Sequence, residues 1–208
     1  MSLKRMMQSV FILSLIAFFL SGCSTTKLVT SWSDPNFNEL PIQKVLIVGV
    51  IKNDLNRRAY ETHFAEQLEK QGIAGIAAHQ VISDSGGYTE EKIRSAVQKA
   101  GADAAIIARL ADVEKKERYV PPTYEYEPVF GYGHGFYGYY AMSTRYVSRP
   151  GYTTTDTIVN LETIVFSTRS EKMIWAGATR SFNPSSATSV IKENTQIIIN
   201  DMKESGLL

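Results

Sequence analysis

Apolar residues recur along this chain with two different periods. Lys44-Val45-Leu46-Ile47-Val48-Gly49-Val50 is nearly unbroken, as in a strand covered on both faces. From Asp54 to Gln71 the pattern changes to a stripe, with Tyr60, Phe64 and Leu68 four residues apart, which predicts a helix. Asn53 or Asp54 can cap its start, and Gly72 stands where a left-handed C-cap is wanted. Ile73 to Ile82 reads as a second strand and Ser83 to Tyr88, with Gly86-Gly87, as a turn. Thr89 caps a second helix with Glu90 and Glu91 in its first turn, an inner face of Ile93, Ala96, Val97 and Ala100, and Gly101 at its end. Ala104 to Glu117 starts apolar and turns charged, as does a strand running out of a core into solvent.

After a long interruption, Thr153 to Phe166 and Lys172 to Phe182 form two more strands around a turn at Thr168-Arg169-Ser170. Pro184, Ser185 and Ser186 open a last helix, with Val190, Ile191, Ile197, Ile198 and Met202 as its stripe and Gly206 at its end. Val29 to Trp32, before the turn at Asp34-Pro35, suits a short edge strand. The expected fold is α/β: a mixed sheet of about five strands, β-α-β-α-β followed by a β-hairpin and a C-terminal helix. Right-handed crossovers place the first three strands parallel in spatial order 2-1-3, with the hairpin antiparallel.

The amino terminus carries a different signal. Lys4 and Arg5 precede Val10 to Leu20, an uncharged apolar run too short for a membrane span of about 20 residues. It ends in Leu20-Ser21-Gly22-Cys23, which looks like the lipobox of bacterial lipoproteins; the alternatives are an ordinary secretory peptide or a short anchor helix. The expected organisation is a signal peptide over 1–22, a lipidated Cys23 with a tether over 23–42, and one α/β domain over 43–208. Two or more acyl chains on Cys23 would hold the protein stably on a membrane. Ser24, where inner-membrane lipoproteins as a class favour Asp, points to the outer membrane and the periplasmic side of the envelope.

Charge and cysteine usage then narrow the function classes. Loss of Lys4 and Arg5 leaves twenty basic against 21 acidic side chains, a formal charge of −1, which provides no electrostatic reason to bind nucleic acid. Cys23 is the sole cysteine, so with its thiol lipidated none remains for a disulfide, a zinc site or a nucleophile.

Tyr119 to Tyr152 is the most biased stretch: it holds nine of the eleven tyrosines and five of the fourteen glycines. Pro121, Pro122, Pro128 and Pro150 oppose helix, and such a long insertion in a compact domain is usually functional or disordered. Its centre places Tyr132, His134, Phe136, Tyr137, Tyr139 and Tyr140 together as a candidate interaction loop. Three readings fit: a mobile insertion or long hairpin extension whose aromatics partly cover the sheet, an adaptable tyrosine–glycine contact surface, or a loop that faces membrane or stacks on glycans.

Motifs for chemistry are thin. Gly133-His-Gly135-Phe-Tyr-Gly138 spells G-x-G-x-x-G, but no strand precedes it and no helix follows. His63, His79 and His134 are far apart without metal-ligand spacing, and the G-x-S-x-G pattern is missing. His63 reads as a boundary side chain on the first helix. Glu90-Glu91 suits a helix start better than acid–base work, and Arg57-Arg58 reads as a solvated helix face before an anion site.

Trp32-Ser-Asp-Pro35, the Lys44–Val50 strand followed by Arg58 and Glu61, Gly101-Ala102-Asp103, and Lys172-Met-Ile-Trp175 occur together in this order. In that set the chain resembles a family of uncharacterised bacterial envelope lipoproteins, a domain of unknown function with a W-x-D-P lead-in. The resemblance covers most of 28–208, departs most at the tyrosine–glycine segment, and implies no activity, catalytic residue or cofactor. More distantly the element order is similar to periplasmic domains of the TolB amino-terminal type, shared by secretion lipoproteins that assemble into rings. The expectation is a non-enzymatic envelope lipoprotein that binds an envelope partner or its own copies. The alternative is a glycan or small-ligand module built on the aromatic loop.

Overall fold

The computed structural model describes residues 25–38, 41–82, 88–126 and 146–208. The elements are β1 (Thr26–Ser33), β2 (Lys44–Val50), α1 (Asp54–Glu69), β3 (Ala74–Ala77), α2 (Ala78–Val81), α3 (Glu90–Ala100), β4 (Ala104–Val120), β5 (Thr123–Tyr126), β6 (Tyr146–Arg149), β7 (Tyr152–Ser167), β8 (Met173–Phe182) and α4 (Ala187–Glu204). Six strands form one mixed sheet in the order β1-β8-β7-β4-β2-β3, and β5 pairs with β6 separately. The parallel core β3-β2-β4 is the predicted 2-1-3 arrangement. The hairpin β7–β8 joins it antiparallel through β4.

The helix caps are those the sequence offers. The Asn53 side chain accepts from the Asn56 N–H at 2.9 Å, and Ser186 exchanges bonds with Ser189 in a capping box. Gly101 takes the left-handed conformation at the end of α3. α1 stops earlier than expected, at Glu69, and Gly72 supplies the positive φ two residues past the Lys70 cap.

α1 and α4 cover one face of the sheet. There Tyr60, Phe64, Leu68, Trp175, Ile198 and Met202 form the main core. α2 and α3 cover the other face around Leu46, Val48, Ala78 and Ala96. β2 lies between these layers, which is why its sequence is apolar on both sides. A polar seam crosses the main core: Tyr60 Oη donates to Asn194 Oδ1 at 2.8 Å, and Asn194 Nδ2 donates to Thr179 Oγ1 at 2.7 Å. All three are buried, so the seam fixes α1, α4 and β8 to one another without an orphaned amide.

Two expectations are corrected. Ile73 to Ile82 is not one strand: β3 has four residues and the chain then makes the single helical turn α2. The cause is tertiary. Gly75 passes so close to the α1 backbone at Ala65 that a Cβ would collide with it. Past Ala77, the His79 N–H bonds a carboxylate on α1 instead of the sheet. The second correction is at the lead-in. The short edge strand expected at Val29–Trp32 extends over Thr26–Ser33 and pairs with β8 as a sixth strand. Eight of the twenty residues read as tether are therefore sheet.

Phe64→Ala, at a fully buried site, is expected to cost about 3–5 kcal/mol, and Asn194→Ala about 1–3 kcal/mol by orphaning the Tyr60 hydroxyl. Urea denaturation followed by the fluorescence of buried Trp175 checks both, and midpoints unchanged from wild type would contradict this account of the core.

Candidate functional site

Two features stand out, one projecting and one buried. The first is an arm. β4 pairs with β2 only as far as Arg109, and β7 pairs with β8 only from Ile158 onward. Beyond those positions the two strands pair, among the described strands, only with each other, from Lys115 opposite Thr157 to Val120 opposite Tyr152. A register shift between Leu110 and Asp112 marks where the arm begins, the usual place for a bulge to re-aim a strand.

The root of the arm is clamped by Asn183, a non-glycine residue at φ +45°. Its side-chain oxygen accepts from the Thr157 N–H at 2.7 Å, its own N–H donates to the Thr157 carbonyl at 2.8 Å, and its Nδ2 donates to Asp156 at 2.8 Å. The clamp carries the β8–β7 ladder one step past Phe182. Farther out, Lys116 pairs with Glu114 at 2.8 Å and holds that carboxyl below the usual carboxylate range, and Arg118 lies 3.8 Å from Asp156. Exposed pairs of this kind contribute little, and Thr153, Thr154, Thr155 and Thr157 add β-branched stiffness.

The arm is zoned. Glu114 to Arg118 are all charged, whereas Tyr119 to Tyr124 contain no charge. At the end, Tyr119, Tyr124 and Tyr152 are 64%, 72% and 60% exposed. The Tyr119 ring crosses Gly151 so closely that a Cβ there would collide with it and with Pro122. β5 and β6 follow as a second antiparallel pair, Thr123 opposite Arg149 and Tyr126 opposite Tyr146. The tyrosine–glycine segment is thus entered and left through paired strands. Its predicted contact residues Tyr132, His134, Phe136, Tyr137, Tyr139 and Tyr140 lie outside the described residues, as does Cys23.

The second feature surrounds Glu61, a carboxylate with no solvent exposure. Its Oε1 accepts from the Gly49 N–H at 2.9 Å. Its Oε2 accepts from the His79 N–H at 2.9 Å and from the Tyr88 hydroxyl at 3.3 Å, and lies 2.7 Å from His79 Nδ1. Arg57 sits 3.5 Å from Oε1, bonds the Tyr88 hydroxyl and Asp54, and stacks 4.5 Å from the centroid of the Tyr88 ring. Burial works against the Arg57 charge, but the bond to Asp54 and the Tyr88 and Glu61 oxygens more than offset it. Gly49 permits the approach, since a Cβ there would lie 3.1 Å from the Arg57 stem and 3.4 Å from the Glu61 carboxylate.

Arg57 is therefore not the solvated helix-face residue the sequence implied; its side chain is 11% exposed. His79, remote from any partner in the sequence, is brought onto Glu61 by the α2 turn. The i, i+4 spacing of Arg57 and Glu61 was the one local signal of this pairing. His63 is half-buried on α1, and burial lowers its pKa, in keeping with a boundary side chain.

Above the network lies a cleft of about 740 Å³ lined by Val50, Ile51, Lys52, Arg57, Tyr88 and Leu110. It opens at the carboxyl ends of the parallel strands, where the crossover connections diverge to opposite faces, the usual position of ligand sites in open α/β sheets. The chemistry within reach is limited. Burial and the neighbouring Glu61 push Tyr88 up to about 12, so its hydroxyl keeps its proton and is not an activated nucleophile. Every side chain of the network already serves another, which makes it a brace for β2, α1 and α2.

No family model and no curated protein matches this chain. Among solved structures, it is similar to the PelC dodecamer from Paraburkholderia phytofirmans, at 12% identity over 85% of this chain and 94% of that one, with a TM-score of 0.44. It is also similar to lipoprotein GNA1162 from Neisseria meningitidis, at 12% identity over 78% and 99%, with a TM-score of 0.42. Likeness at this level carries no function from one chain to the other.

Glu61→Ala should destabilise the domain by about 3–5 kcal/mol, because it removes a buried counter-charge of Arg57 and the acceptor of the Gly49 and His79 N–H groups. Tyr88 adds a signed pH dependence. Its contribution is present below pH ~10, the unfolded value, and is lost as pH rises towards the folded value of about 12. Urea midpoints across this range should fall more steeply for wild type than for Tyr88→Phe, and parallel curves would contradict the assignment.

Proposed function

We propose that this chain is a bacterial envelope lipoprotein, lipidated at Cys23, that works without catalysis as a structural or interaction protein. The outer membrane, with the domain facing the periplasm, fits Ser24 after the lipidated position. The observation that carries the interaction role is the β4–β7 arm. A two-stranded ribbon is marginal on its own in water, and among the described residues this one presents edges without a strand partner and three exposed tyrosines. Below its tyrosine end, from Lys115 opposite Thr157 to Arg118 opposite Thr154, it is an element whose surface is completed by something else, either other copies of this chain or an envelope protein. The W-x-D-P lipoprotein resemblance supports the location, and the TolB-type element order agrees with assembly into oligomers. A ligand-binding module is the second reading; the cleft above Arg57 favours it, its volume being ordinary for small-molecule sites.

Three measurements test the proposal. Cys23→Ala should move the protein from the membrane to the soluble fraction. A photo-crosslinker at Glu117 or Thr155 should capture a partner in cells that a crosslinker at Ser170, at the other end of the sheet, does not. Deletion of 124–146 should abolish that capture while leaving the domain folded. Equal capture from both ends would remove the arm as the contacting element.

A further inference from the structure

The amino-terminal end of β1 and the arm leave the sheet at the same end. Thr26 pairs with Ser181, next to Phe182, which stands opposite Ile158 where the arm starts. Thr26 is also pinned there, its N–H donating to Glu193 on α4 at 2.8 Å, while the Thr25 carbonyl accepts from the Phe182 N–H at 2.9 Å. Between Cys23 and this fixed point lie only Ser24 and Thr25. The Cα atoms of residues 23 and 26 can thus be at most ~11 Å apart.

That reach decides orientation. Turning this end of the sheet away from an anchoring membrane would require the tether to run the length of β1, ~25 Å. The arm extends about 20 Å beyond the level of Phe182, six residue steps from Ile158 to Tyr152. It is therefore longer than the tether, so a chain anchored at Cys23 brings the arm to the bilayer.

We propose that the end of the arm, carrying Tyr119, Val120, Tyr124 and Tyr152, rests in the phospholipid headgroup region of the membrane that holds Cys23. This rests on the lipidation of Cys23 proposed above. The zoning of the arm fits that placement. Tyrosine suits the interface because its ring is apolar and its hydroxyl stays wet. The stretch Tyr119–Tyr124, itself uncharged but with Arg149 opposite Thr123, would lie at the level of the glycerol backbone, and Lys115, Lys116 and Arg118 one step back, within reach of phosphates. At the opposite end of the sheet the turn 168–172 holds Arg169, Glu171 and Lys172, and the one large exposed aromatic there among the described residues is Trp32 on β1, against three tyrosines on the arm. The arm would act as a second foot that fixes the orientation of the domain on the membrane.

The test uses the full-length lipidated protein in vesicles of phosphatidylethanolamine with a minority of phosphatidylglycerol. With Cys23 blocked by lipid, an introduced cysteine is the only free thiol. Bimane is attached at Tyr124→Cys or, as the control, at Ser170→Cys, and Trp175 fluorescence confirms that each variant is folded. The expected result is loss of bimane emission at position 124, and not at 170, when the vesicles contain brominated lipid. Emission at 124 that resists brominated lipid but is quenched by aqueous iodide as fully as at 170 would overturn the proposal while leaving the anchor intact. Protection from both quenchers would overturn it in favour of a protein covering the arm. An unmodified Cys23 by mass spectrometry would remove the anchor itself, and this inference with it.

Discussion

The pairing of β4 with β7, unbroken in partner from Ala104 to Val120, is the interaction on which the rest depends. Its first half joins two unlike pieces: a parallel β-α-β-α-β unit, which ends in β4, and an antiparallel hairpin with its following helix, which begins at β7. Without it the two pieces would be joined chiefly by the side-chain packing of α1 against α4, with no backbone ladder between them. Its second half leaves the sheet as the arm. Because both halves belong to the same two strands, the arm inherits its direction from a buried ladder, and the Asn183 clamp extends that control past the last pair with β8. An exposed ribbon that would be marginal alone is thus held at its root by the core.

The buried Glu61 carboxylate plays a different part. Burying a charge is costly unless every lone pair finds a donor, and here two backbone N–H groups, a histidine ring, a tyrosine hydroxyl and a guanidinium supply them. The consequence is local shape. The chain leaves the sheet after Ala77 because His79 is taken by Glu61, and Tyr88 is drawn over Arg57 at the foot of α3. The network forms the floor of the cleft at the strand ends, so the most enclosed polar chemistry of the domain serves to shape a surface.

Much of the architecture is legible in the sequence, because burial on two faces, on one face or on none leaves different periods. Lys44–Val50 reads as a central strand, the four-residue spacing of Tyr60, Phe64 and Leu68 reads as α1, and Thr89, Gly101 and Ser186 mark helix ends through local hydrogen bonding. The 2-1-3 parallel order follows from the handedness of crossovers. The candidate site was less legible. The charged run after Ala108 shows a strand leaving the core, but nothing local says that Tyr152 to Thr157 leaves with it. Arg57, Glu61, His79 and Tyr88 are ordinary residues in sequence, and only the arrival of α2 and the start of α3 beside α1 makes them one network.

What the sequence by itself determined is whatever rests on nearest-neighbour chemistry: element type, caps, a lipobox-like amino terminus, a near-neutral charge balance, and an aromatic segment out of character with the rest. What only the tertiary structure decided rests on pairing between distant segments. β1 becomes a sixth strand because β8 offers a free edge, and β3 stops at four residues because a helix carboxylate competes for the next N–H. The arm and the amino-terminal end of β1 emerge together because β1, β8, β7 and β4 stack antiparallel in one register. Sequence periodicity records whether a residue is buried, but not which partner buries it, and it is the partners that set where the start of β1 and the arm stand relative to each other.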